Sequence, residues 1–330
     1  MLTHCLHFPW QSHREWVKNG AMIATGLVLG AGGIIGPAYH LSVLRALREQ
    51  TGRDPQDIDL FVGTSGGAIV AALLADGYSV ESLAEAFDID GIGNREQHSP
   101  LHLAVRMLMT LPHLGWGDFR LPPRTPRKLY PDFRQRIAIR SASLFSNGEV
   151  DLLAYAGPFE DVFQGRWPSR LRLCAVHVPT GKRRVFGPND GISVVTATAA
   201  SCAVPGMFRP VVIDGQEYSD GGFFSPTNAD VALDYGLQSV TIVSPMSSKL
   251  LSRPASVEHP LRLGLHAIIA RERRQLRRRG VSVTLVEPNY PARRVIGTDY
   301  MDLNKAPSVA RAMTQVTLDR SRTPRLRLIA

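Results

Sequence analysis

The sequence lacks the features of a disulfide-rich secreted protein, of a structural zinc protein and of a protein with a transmembrane helix. It has three cysteines in 330 residues, and Cys5, Cys174 and Cys202 are too scattered for a disulfide framework or a zinc site. Its longest apolar stretch, residues 21–36, is shorter than the roughly 20 residues of a membrane span and is rich in glycine. The first twenty residues carry no apolar run after a basic start, so they do not resemble a signal peptide. We therefore expect a cytoplasmic protein whose only contact with a membrane is peripheral.

Acidic residues are also scarce relative to basic ones. The chain has 38 Lys and Arg against 29 Asp and Glu, so its formal net charge is +9. Such an excess favours anionic partners, of which phospholipid headgroups and nucleic acids are the simplest. Six arginines lie between Arg271 and Arg279, where they suit the last turn of a solvated helix, and no nucleic-acid motif accompanies them. The sequence thus predicts no nucleic-acid partner and favours peripheral association with anionic membranes.

The length of the chain and its hydrophobic fraction of 44% predict one large folded domain. Residues 1–20 are predicted to be an N-terminal extension, and residues 21–330 the domain itself. An insertion is predicted near residues 90–150, where an apolar segment precedes one rich in proline and arginine. This insertion is either a lid or lipid-facing surface, with residues 101–116 and the arginines of 120–140 towards the membrane, or an ordinary packed subdomain.

Outside this insertion, predicted strands and helices alternate. Leu27 to Leu29 form a short apolar strand, and a helix with Pro37 in its first turn follows. Residues 57–62 and 66–76 predict a second strand and a second, mostly buried helix. Further strands are predicted at 171–178, 182–186, 239–244 and 281–288, and further helices at 193–204 and 261–279. Residues 211–222 predict two short strands joined by a turn at Asp214 and Gly215. His177, on one of these strands, is expected to be a core or edge residue. The alternation predicts an α/β fold with a parallel sheet.

The stretch LVLGAGGIIG, residues 27–36, brings four glycines directly after the first strand. A dinucleotide-binding GxGxxG that began at Gly30 would need its third glycine where the chain has Ile35. A phosphate-binding P-loop would need Gly-Lys-Ser/Thr at its end, whereas this loop ends in Gly36-Pro37. The remaining possibility is a loop whose backbone amides bind an oxyanion.

A second motif, Gly63-Thr64-Ser65-Gly66-Gly67, has the pattern GxSxG between a predicted strand and a predicted helix. Small residues on both sides of the serine allow a sharp turn that exposes its hydroxyl at the helix N-terminus, where the dipole favours negative charge. A nucleophilic serine is the functional interpretation. The structural alternative is that Ser65 only caps the helix.

A nucleophilic serine needs a base. In an α/β-hydrolase the order would be Ser65, Asp220 and then His259 or His266, but that fold usually places several strands before its nucleophile. The better candidate is the sequence Ser219 to Gly222, SDGG, in which Asp220 ends a short strand and two glycines let its carboxylate approach the serine. Taken alone, Asp-Gly-Gly is also ordinary turn chemistry.

Together, the three motifs resemble those of the patatin-like phospholipase family. In that family a glycine-rich oxyanion loop follows the first strand, a GxSxG turn follows the second, and Asp-Gly-Gly or Asp-Gly-Ala completes a Ser-Asp dyad without histidine. The same order occurs here at Ala31 to Gly36, Gly63 to Gly67 and Asp220 to Gly222. The resemblance covers about Gly26 to Ser244 apart from the insertion. It implies a three-layer α/β/α fold with a mostly parallel central sheet and an inserted helical and loop region.

The resemblance also implies an activity, namely a serine lipid acyl hydrolase that cleaves esters of phospholipids or lysophospholipids and releases fatty acid. Ser65 would be the nucleophile and Asp220 the base, without a metal or another cofactor. The backbone amides of Gly32 and Gly33, with Gly66 as a further donor, would bind the oxyanion. The other motif glycines would support these turns, and they are Gly36, Gly63, Gly67, Gly221 and Gly222. The resemblance implies neither an oligomeric state nor an activating partner.

The glycine-rich loop departs from the family's pattern at two positions. The family's loop usually reads Gly-Gly-Gly, any residue, Arg or Lys, and Gly, whereas this chain has Ala31 at the first glycine and Ile35 at the basic position. If Ala31 needs the backbone angles of a glycine, the oxyanion loop would be distorted. Two alternatives follow: a catalytically weak or inactive lipid-binding or interaction protein of the same fold, and a cofactor-binding α/β protein, which the glycine register disfavours.

Overall fold

The computed structural model describes residues 24–52, 54–91, 99–110, 148–248 and 258–314. An eight-stranded mixed sheet forms the middle of this part of the chain. Its strands are β1 (Thr25–Leu29), β2 (Leu60–Gly63), β3 (Leu171–His177), β4 (Lys182–Phe186), β5 (Val211–Ile213), β6 (Gln216–Asp220), β7 (Ser239–Val243) and β8 (Ser282–Val286). The strand order across the sheet is β5-β6-β3-β2-β1-β7-β8, and β4 pairs with β3 beside this path.

The strands around the centre of the sheet run parallel. β1 pairs with β2 and β7, β2 pairs with β3, and β7 pairs with β8, all in the parallel sense. At the other end of the sheet, β3 pairs antiparallel with β4 and β6, and β5 pairs antiparallel with β6. Asp214 and Gly215, both with positive φ, form the tight turn predicted between β5 and β6. Parallel neighbours need crossover connections, which helices supply here.

The described residues form the α-helices α1 (Gly36–Thr51), α2 (Gly66–Ala75), α3 (Val80–Ala86), α4 (Pro100–Thr110), α5 (Gly157–Phe163), α6 (Val194–Cys202), α7 (Glu258–Arg278), α8 (Tyr290–Ile296) and α9 (Ala306–Thr314). Local sequence explains where α1 begins and ends. Pro37 lies in its first turn, where a missing N–H costs nothing, and Gly52 closes it at φ 67°. Helix α2 is buried on all sides, because it crosses the middle of the sheet beneath α1.

Apolar side chains alternate between the two faces of the sheet. Leu27 and Leu29 point into a core formed with α1, α2 and α6, whereas Val28 points to the opposite face. On that opposite face, Ile269 and Leu276 of α7 cover the sheet. Helices therefore lie on both faces of the sheet, and the predicted three-layer α/β/α architecture is confirmed.

The predicted insertion near residues 90–150 is described at its two ends. Helix α4 packs against α3 and α5, and its Leu101, Ala104 and Val105 are buried in the main core. These three side chains are thus packed against protein and are not part of a lipid-facing surface. Residues 111–147, which include the arginines predicted to face a membrane, lie outside the described residues.

The arginine-rich segment forms the exposed end of α7, as predicted. Arg271, Arg274 and Arg277 are exposed, while Leu276 between them is buried against the sheet. Because α7 connects the parallel strands β7 and β8, this end lies at the edge of the sheet where the strands begin. The GxSxG turn lies at the opposite edge, where β2 ends. Within the described residues, no helix combines the length and the apolar character needed to cross a membrane.

Candidate active site

The glycine-rich loop leaves the end of β1 in a conformation that accommodates Ala31. The Gly30 amide donates to the Val243 carbonyl at 3.0 Å, and the Ala31 amide donates to the Pro226 carbonyl at 2.8 Å. Ala31 lies outside the left-handed region, which Gly33 occupies at φ 59°. The position that requires glycine is therefore still a glycine, and Ala31 does not distort the loop. The amides of Gly32 and Gly33 take no part in these backbone hydrogen bonds.

The other departure, Ile35, is accommodated by burial. Its side chain is 1% exposed and belongs to the main core, and the residue lies in a 3₁₀ turn, Gly33–Ile35, that leads into α1. The Ile35 amide donates to the Tyr300 carbonyl at 3.4 Å. An apolar side chain at this position thus contributes to packing, and the loop Ala31 to Gly36 contains no basic residue.

Ser65 occupies the sharp turn between β2 and α2 that the GxSxG pattern predicts. Its backbone has φ 55° and ψ −132°, a conformation that costs a non-glycine residue about 1–3 kcal/mol. Its side chain makes no capping hydrogen bond to α2, so the interpretation of Ser65 as a simple helix cap is wrong. The strained turn is of the kind that directs a nucleophile out of a helix N-terminus.

Close backbone contacts explain the glycines around Ser65. A Cβ on Gly66 would lie 2.3 Å from the Gly33 carbonyl oxygen, and one on Gly67 would lie 2.3 Å from the Leu29 carbonyl oxygen. Both distances are far shorter than any tolerated contact, so these glycines bring the nucleophile turn against the glycine-rich loop. Other predicted motif glycines also have an atom within 3 Å of the position of a Cβ, and they are Gly63, Gly221 and Gly222. Gly36, at the start of α1, has only ordinary contacts.

Asp220, at the end of β6, meets Ser65 inside the protein. Its side chain is 3% exposed and that of Ser65 is 4% exposed. The Ser65 side chain interacts with the Asp220 carboxylate and lowers its pKa, and the Gly222 amide donates to Asp220 Oδ1 at 2.7 Å. The two residues come from strands on either side of β3, so only the folded sheet brings them together.

The environment of Asp220 makes its carboxylate a stronger base than a free aspartate. Burial raises the pKa of Asp220 to about 6, and the hydrogen bonds from Ser65 and Gly222 oppose this shift. At pH 7 the carboxylate is still mostly ionised, and its pKa is closer to the working pH than the ~3.9 of a free aspartate. These two properties suit a general base.

The end of α6 holds the backbone of both Ser65 and Asp220. Ser201 Oγ accepts a hydrogen bond from the Ser65 amide at 3.0 Å, and Cys202 Sγ donates to the Ser65 carbonyl at 3.2 Å. The carbonyl of the next residue, Ala203, accepts from the Asp220 amide at 2.9 Å. Burial, together with the nearby Asp220, raises the pKa of the Cys202 thiol, so it stays protonated and acts as a donor. The sequence motifs did not reveal these three residues.

Asn228 connects the nucleophile turn with the segment after Asp220. Its side-chain amide donates to Thr64 Oγ1 at 3.1 Å, to the Gly221 carbonyl at 3.3 Å and to the Ser225 carbonyl at 3.0 Å. Asn228 itself has φ 52°, which asparagine tolerates better than most residues. One buried side chain thus binds groups adjacent to each member of the pair.

Glu272 of α7 anchors the same segment from the opposite layer. Its carboxylate accepts hydrogen bonds from Ser225 Oγ at 2.6 Å, Thr227 Oγ1 at 2.7 Å and the Ala229 amide at 3.1 Å. Burial, reinforced by the charge of Asp230, raises the pKa of Glu272. A fully buried acid with three donors keeps residues 225–229 in one conformation. No motif in the sequence indicated this role of Glu272.

His266, one of the two histidines considered as a base, contacts a different carboxylate. His266 Nδ1 is hydrogen-bonded to Glu287 Oε1 at 2.8 Å, and the side chain of His259 lies outside the described residues. His177 is half-buried, and its two ring nitrogens bond Thr180 Oγ1 at 2.7 Å and Gln216 Oε1 at 2.9 Å, as expected for a structural histidine. The described hydrogen bonds of His266 and His177 thus go to residues other than Asp220.

An apolar cavity lies near the nucleophile turn, with about 560 Å³ of empty space including its opening to solvent. Ile69, one turn after Ser65 on α2, and Cys202, which bonds the Ser65 carbonyl, both line it. The rest of its wall comes mainly from aliphatic and aromatic side chains of α2, α4, α5 and α6. Such a lining suits a hydrocarbon chain and leaves little to bind a polar group.

Comparison with known proteins identifies the family to which the chain belongs. A family model described as "Patatin-like phospholipase" matches residues 27–233. A "cUMP-AMP-activated phospholipase" of Escherichia coli is 26% identical over 235 residues, which cover 66% of this chain and 62% of that protein. The chain therefore spans less than two thirds of the length of this curated relative.

Two solved structures are similar at low identity. VipD from Legionella pneumophila is 15% identical with a TM-score of 0.37, over 89% of this chain and 67% of that one. Human GIVD cytosolic phospholipase A2, in complex with methyl γ-linolenyl fluorophosphonate, is 12% identical with a TM-score of 0.35, over 92% of this chain and 60% of that one. At these TM-scores the assignment rests on the family model. That model spans more than half of the chain and includes the glycine-rich loop, the GxSxG turn and Asp220, so the protein belongs to the patatin-like phospholipase family, as its motifs predicted.

Proposed function

We propose that the chain is a serine lipid acyl hydrolase in which Ser65 is the nucleophile and Asp220 the general base. The observation that carries this proposal is the meeting of Ser65, in its strained turn, with the buried Asp220 carboxylate, whose pKa burial raises to about 6. In this proposal the amides of Gly32, Gly33 and Gly66 serve as the oxyanion donors. The close contact of Gly66 with Gly33, where a Cβ on Gly66 would lie 2.3 Å from the Gly33 carbonyl oxygen, supports this assignment. We assign the activity to one domain over residues 21–330, with an insertion near 90–150.

The reaction proceeds through an acyl-enzyme. Ser65 Oγ attacks the ester carbonyl carbon while its proton passes to Asp220, and the oxyanion of the tetrahedral intermediate binds the loop amides. Collapse breaks the ester bond, and the leaving alkoxide takes the proton from Asp220. Water then gives a proton to Asp220 as it attacks acyl-Ser65. The second collapse returns that proton to Ser65 Oγ and releases the fatty acid.

The apolar cavity supports a long-chain acyl ester as the substrate. Two residues of its wall, Ile69 and Cys202, lie close to Ser65 in the chain or in space. In the proposal the hydrocarbon chain therefore lies among residues such as Ile69 and Phe159 while the carbonyl carbon reaches the Ser65 hydroxyl. We therefore favour phospholipids or lysophospholipids as substrates. The net charge of +9 supports peripheral binding to anionic membranes as part of the same proposal.

A substrate panel tests the function. The full chain is assayed with a p-nitrophenyl ester, lysophospholipids, triacylglycerols, and phospholipid vesicles with and without anionic lipid. We expect fatty acid release from phospholipid or lysophospholipid, faster when the vesicles are anionic. An absence of hydrolysis, together with an absence of labelling by a fluorophosphonate, would instead favour the alternative of a non-catalytic lipid-binding protein.

The pH dependence of hydrolysis follows from the raised pKa of Asp220. A general base acts when it is ionised, so kcat/KM for a neutral ester should be constant above the pKa of about 6 and fall about tenfold per pH unit below it. The profile is measured with the free enzyme under conditions where circular dichroism shows the fold unchanged. A profile without an inflection between pH 5 and 7 would contradict the assignment of Asp220.

Filling the cavity should change the chain-length preference. Thr198 lines the cavity from α6, and its hydroxyl donates to the Val194 carbonyl of the same helix at 2.8 Å. In Thr198→Phe the ring occupies space needed by a long acyl chain, so kcat/KM for a palmitoyl ester should fall by about tenfold or more. The same protein assayed with a butyryl ester is the control, and that value should change by less than about twofold. Equal losses on both esters would place the acyl chain elsewhere.

A further inference from the structure

Two residues beyond the region that the family model matches, Pro245 and Tyr300, pack against the glycine-rich loop. A Cβ on Gly32 would lie 2.9 Å from Pro245 Cγ, so Pro245 packs directly on this glycine. A Cβ on Gly33 would lie 2.6 Å from the Tyr300 carbonyl oxygen, which also accepts the hydrogen bond from the Ile35 amide at 3.4 Å. The loop is thus held between the end of β7 and the segment that follows α8.

The buried guanidinium of Arg262 connects Pro245 with the segment that contains Tyr300. Arg262 of α7 is 3% exposed, and its Nη1 donates to the Pro245 carbonyl at 3.1 Å. Its Nη2 donates to the Gly297 carbonyl, also at 3.1 Å, and its guanidinium carbon lies 5.5 Å from the centre of the Tyr300 ring. The planar fork of arginine suits this arrangement, because two fixed N–H directions and a flat face contact three groups at once.

We propose that Arg262 is a positioning residue that fixes the oxyanion loop by clamping Pro245 on one side and Tyr300 on the other. The inference rests on the proposed function, since it assigns Arg262 a role in placing the Gly32 and Gly33 amides. The loop has Ile35 where its relatives usually carry Arg or Lys, so it has no cation of its own. Arg262 supplies a cation from outside the loop and acts through backbone carbonyls and a ring. Oxyanion donors must be held to within about 0.5 Å of their working positions, so small shifts of Pro245 or Tyr300 would weaken the binding of the transition state.

The test compares Arg262→Lys with the matched variant Arg170→Lys. Arg170 also binds backbone carbonyls, those of Gln56 at 2.6 Å and Ile58 at 3.0 Å, and stacks 5.1 Å from the Phe61 ring centre. It does so at the opposite edge of the sheet, before β2 begins. Each variant is measured for kcat and KM on a butyryl ester, for the rate constant of fluorophosphonate labelling, and for its thermal midpoint.

In Arg262→Lys we expect kcat and the labelling rate constant to fall together by about ten- to a hundredfold, with KM changed by less than about twofold. Arg170→Lys should lower the thermal midpoint and leave all three kinetic values near those of the wild type. In Arg262→Gly, millimolar guanidinium should restore part of kcat, whereas equal urea should not. If the Arg262 variants do not fold, Tyr300→Leu removes the stacked ring alone. In that variant we expect kcat and the labelling rate constant to fall by a smaller factor while KM stays nearly unchanged.

Unchanged kcat and labelling in a folded Arg262→Lys would overturn the inference, as would equal kinetic losses in Arg170→Lys. The outcome is distinct from a failure of the proposed function. A wild-type protein that neither hydrolyses esters nor reacts with the fluorophosphonate would overturn the function itself, and the role of Arg262 with it.

Discussion

Ser65→Ala will reduce ester hydrolysis by a factor of about 10⁶ and abolish covalent labelling by a fluorophosphonate. The reason is that the substitution removes the only atom that forms the acyl bond. Alanine also has a Cβ, so the backbone strain at φ 55° is the same and the thermal midpoint should change little. Mass spectrometry of the labelled protein locates the adduct, and turnover on the butyryl ester gives the rate.

The chain offers a matched control for this substitution in Ser219. That side chain is as buried as Ser65, at 2% exposed, and its hydroxyl has no hydrogen-bond partner within the described residues. Ser219→Ala should keep both hydrolysis and labelling. An adduct that persists in Ser65→Ala would place the nucleophile at another residue and overturn the proposed mechanism.

Asp220→Asn should lower kcat by about 10³- to 10⁴-fold with little change in KM. The asparagine oxygen can still accept the hydrogen bond that the Gly222 amide now gives to Asp220 Oδ1, so the turn should keep its shape. What the variant loses is the group that accepts the Ser65 proton. Steady-state kinetics on the butyryl ester, with circular dichroism to verify the fold, provides the measurement.

A pH profile of Asp220→Asn separates a lost base from a damaged site. The residual rate should no longer show the inflection near pH 6, because the group responsible for it is gone. A near-normal rate in Asp220→Asn would instead indicate a histidine base. His266→Ala is then the decisive variant, since His266 is the candidate histidine whose side chain the structure describes.

The sequence predicts those residues of the site that belong to short local motifs. Glycines at 63, 66 and 67 mark a turn in which a Cβ would collide with backbone, and the same holds for Gly221. At Gly222 a Cβ would instead lie 2.9 Å from Asp220 Oδ1. The alternation of strands and helices predicts the parallel pairing of β1 with β2, which brings the glycine-rich loop and the nucleophile turn to one edge of the sheet. Asp220 reaches the site from β6, which runs antiparallel to β3. The interpretation of Ala31 needed the structure, because a sequence does not give the φ of a residue.

The residues that hold the site have no such pattern. Ser201, Asn228 and Arg262 act largely on backbone groups, and a backbone carbonyl is the same whichever residue carries it. Glu272 binds a segment 43 residues earlier in the chain, a pairing that no local spacing encodes. Tertiary contacts of this kind depend on the whole fold, so one sequence taken alone does not single them out.

The last turn of α6 has a consequence for how this protein can diverge. Ser201, Cys202 and Ala203, at the end of α6, bind the backbone of both Ser65 and Asp220. The distance between the nucleophile and the base is therefore set by the geometry of this helix end. Surface segments can therefore lengthen, shorten or change composition over evolutionary time without retuning the chemistry. New substrate preferences would arise by redesign of the cavity wall and the inserted segment, while the reacting pair is passed on intact.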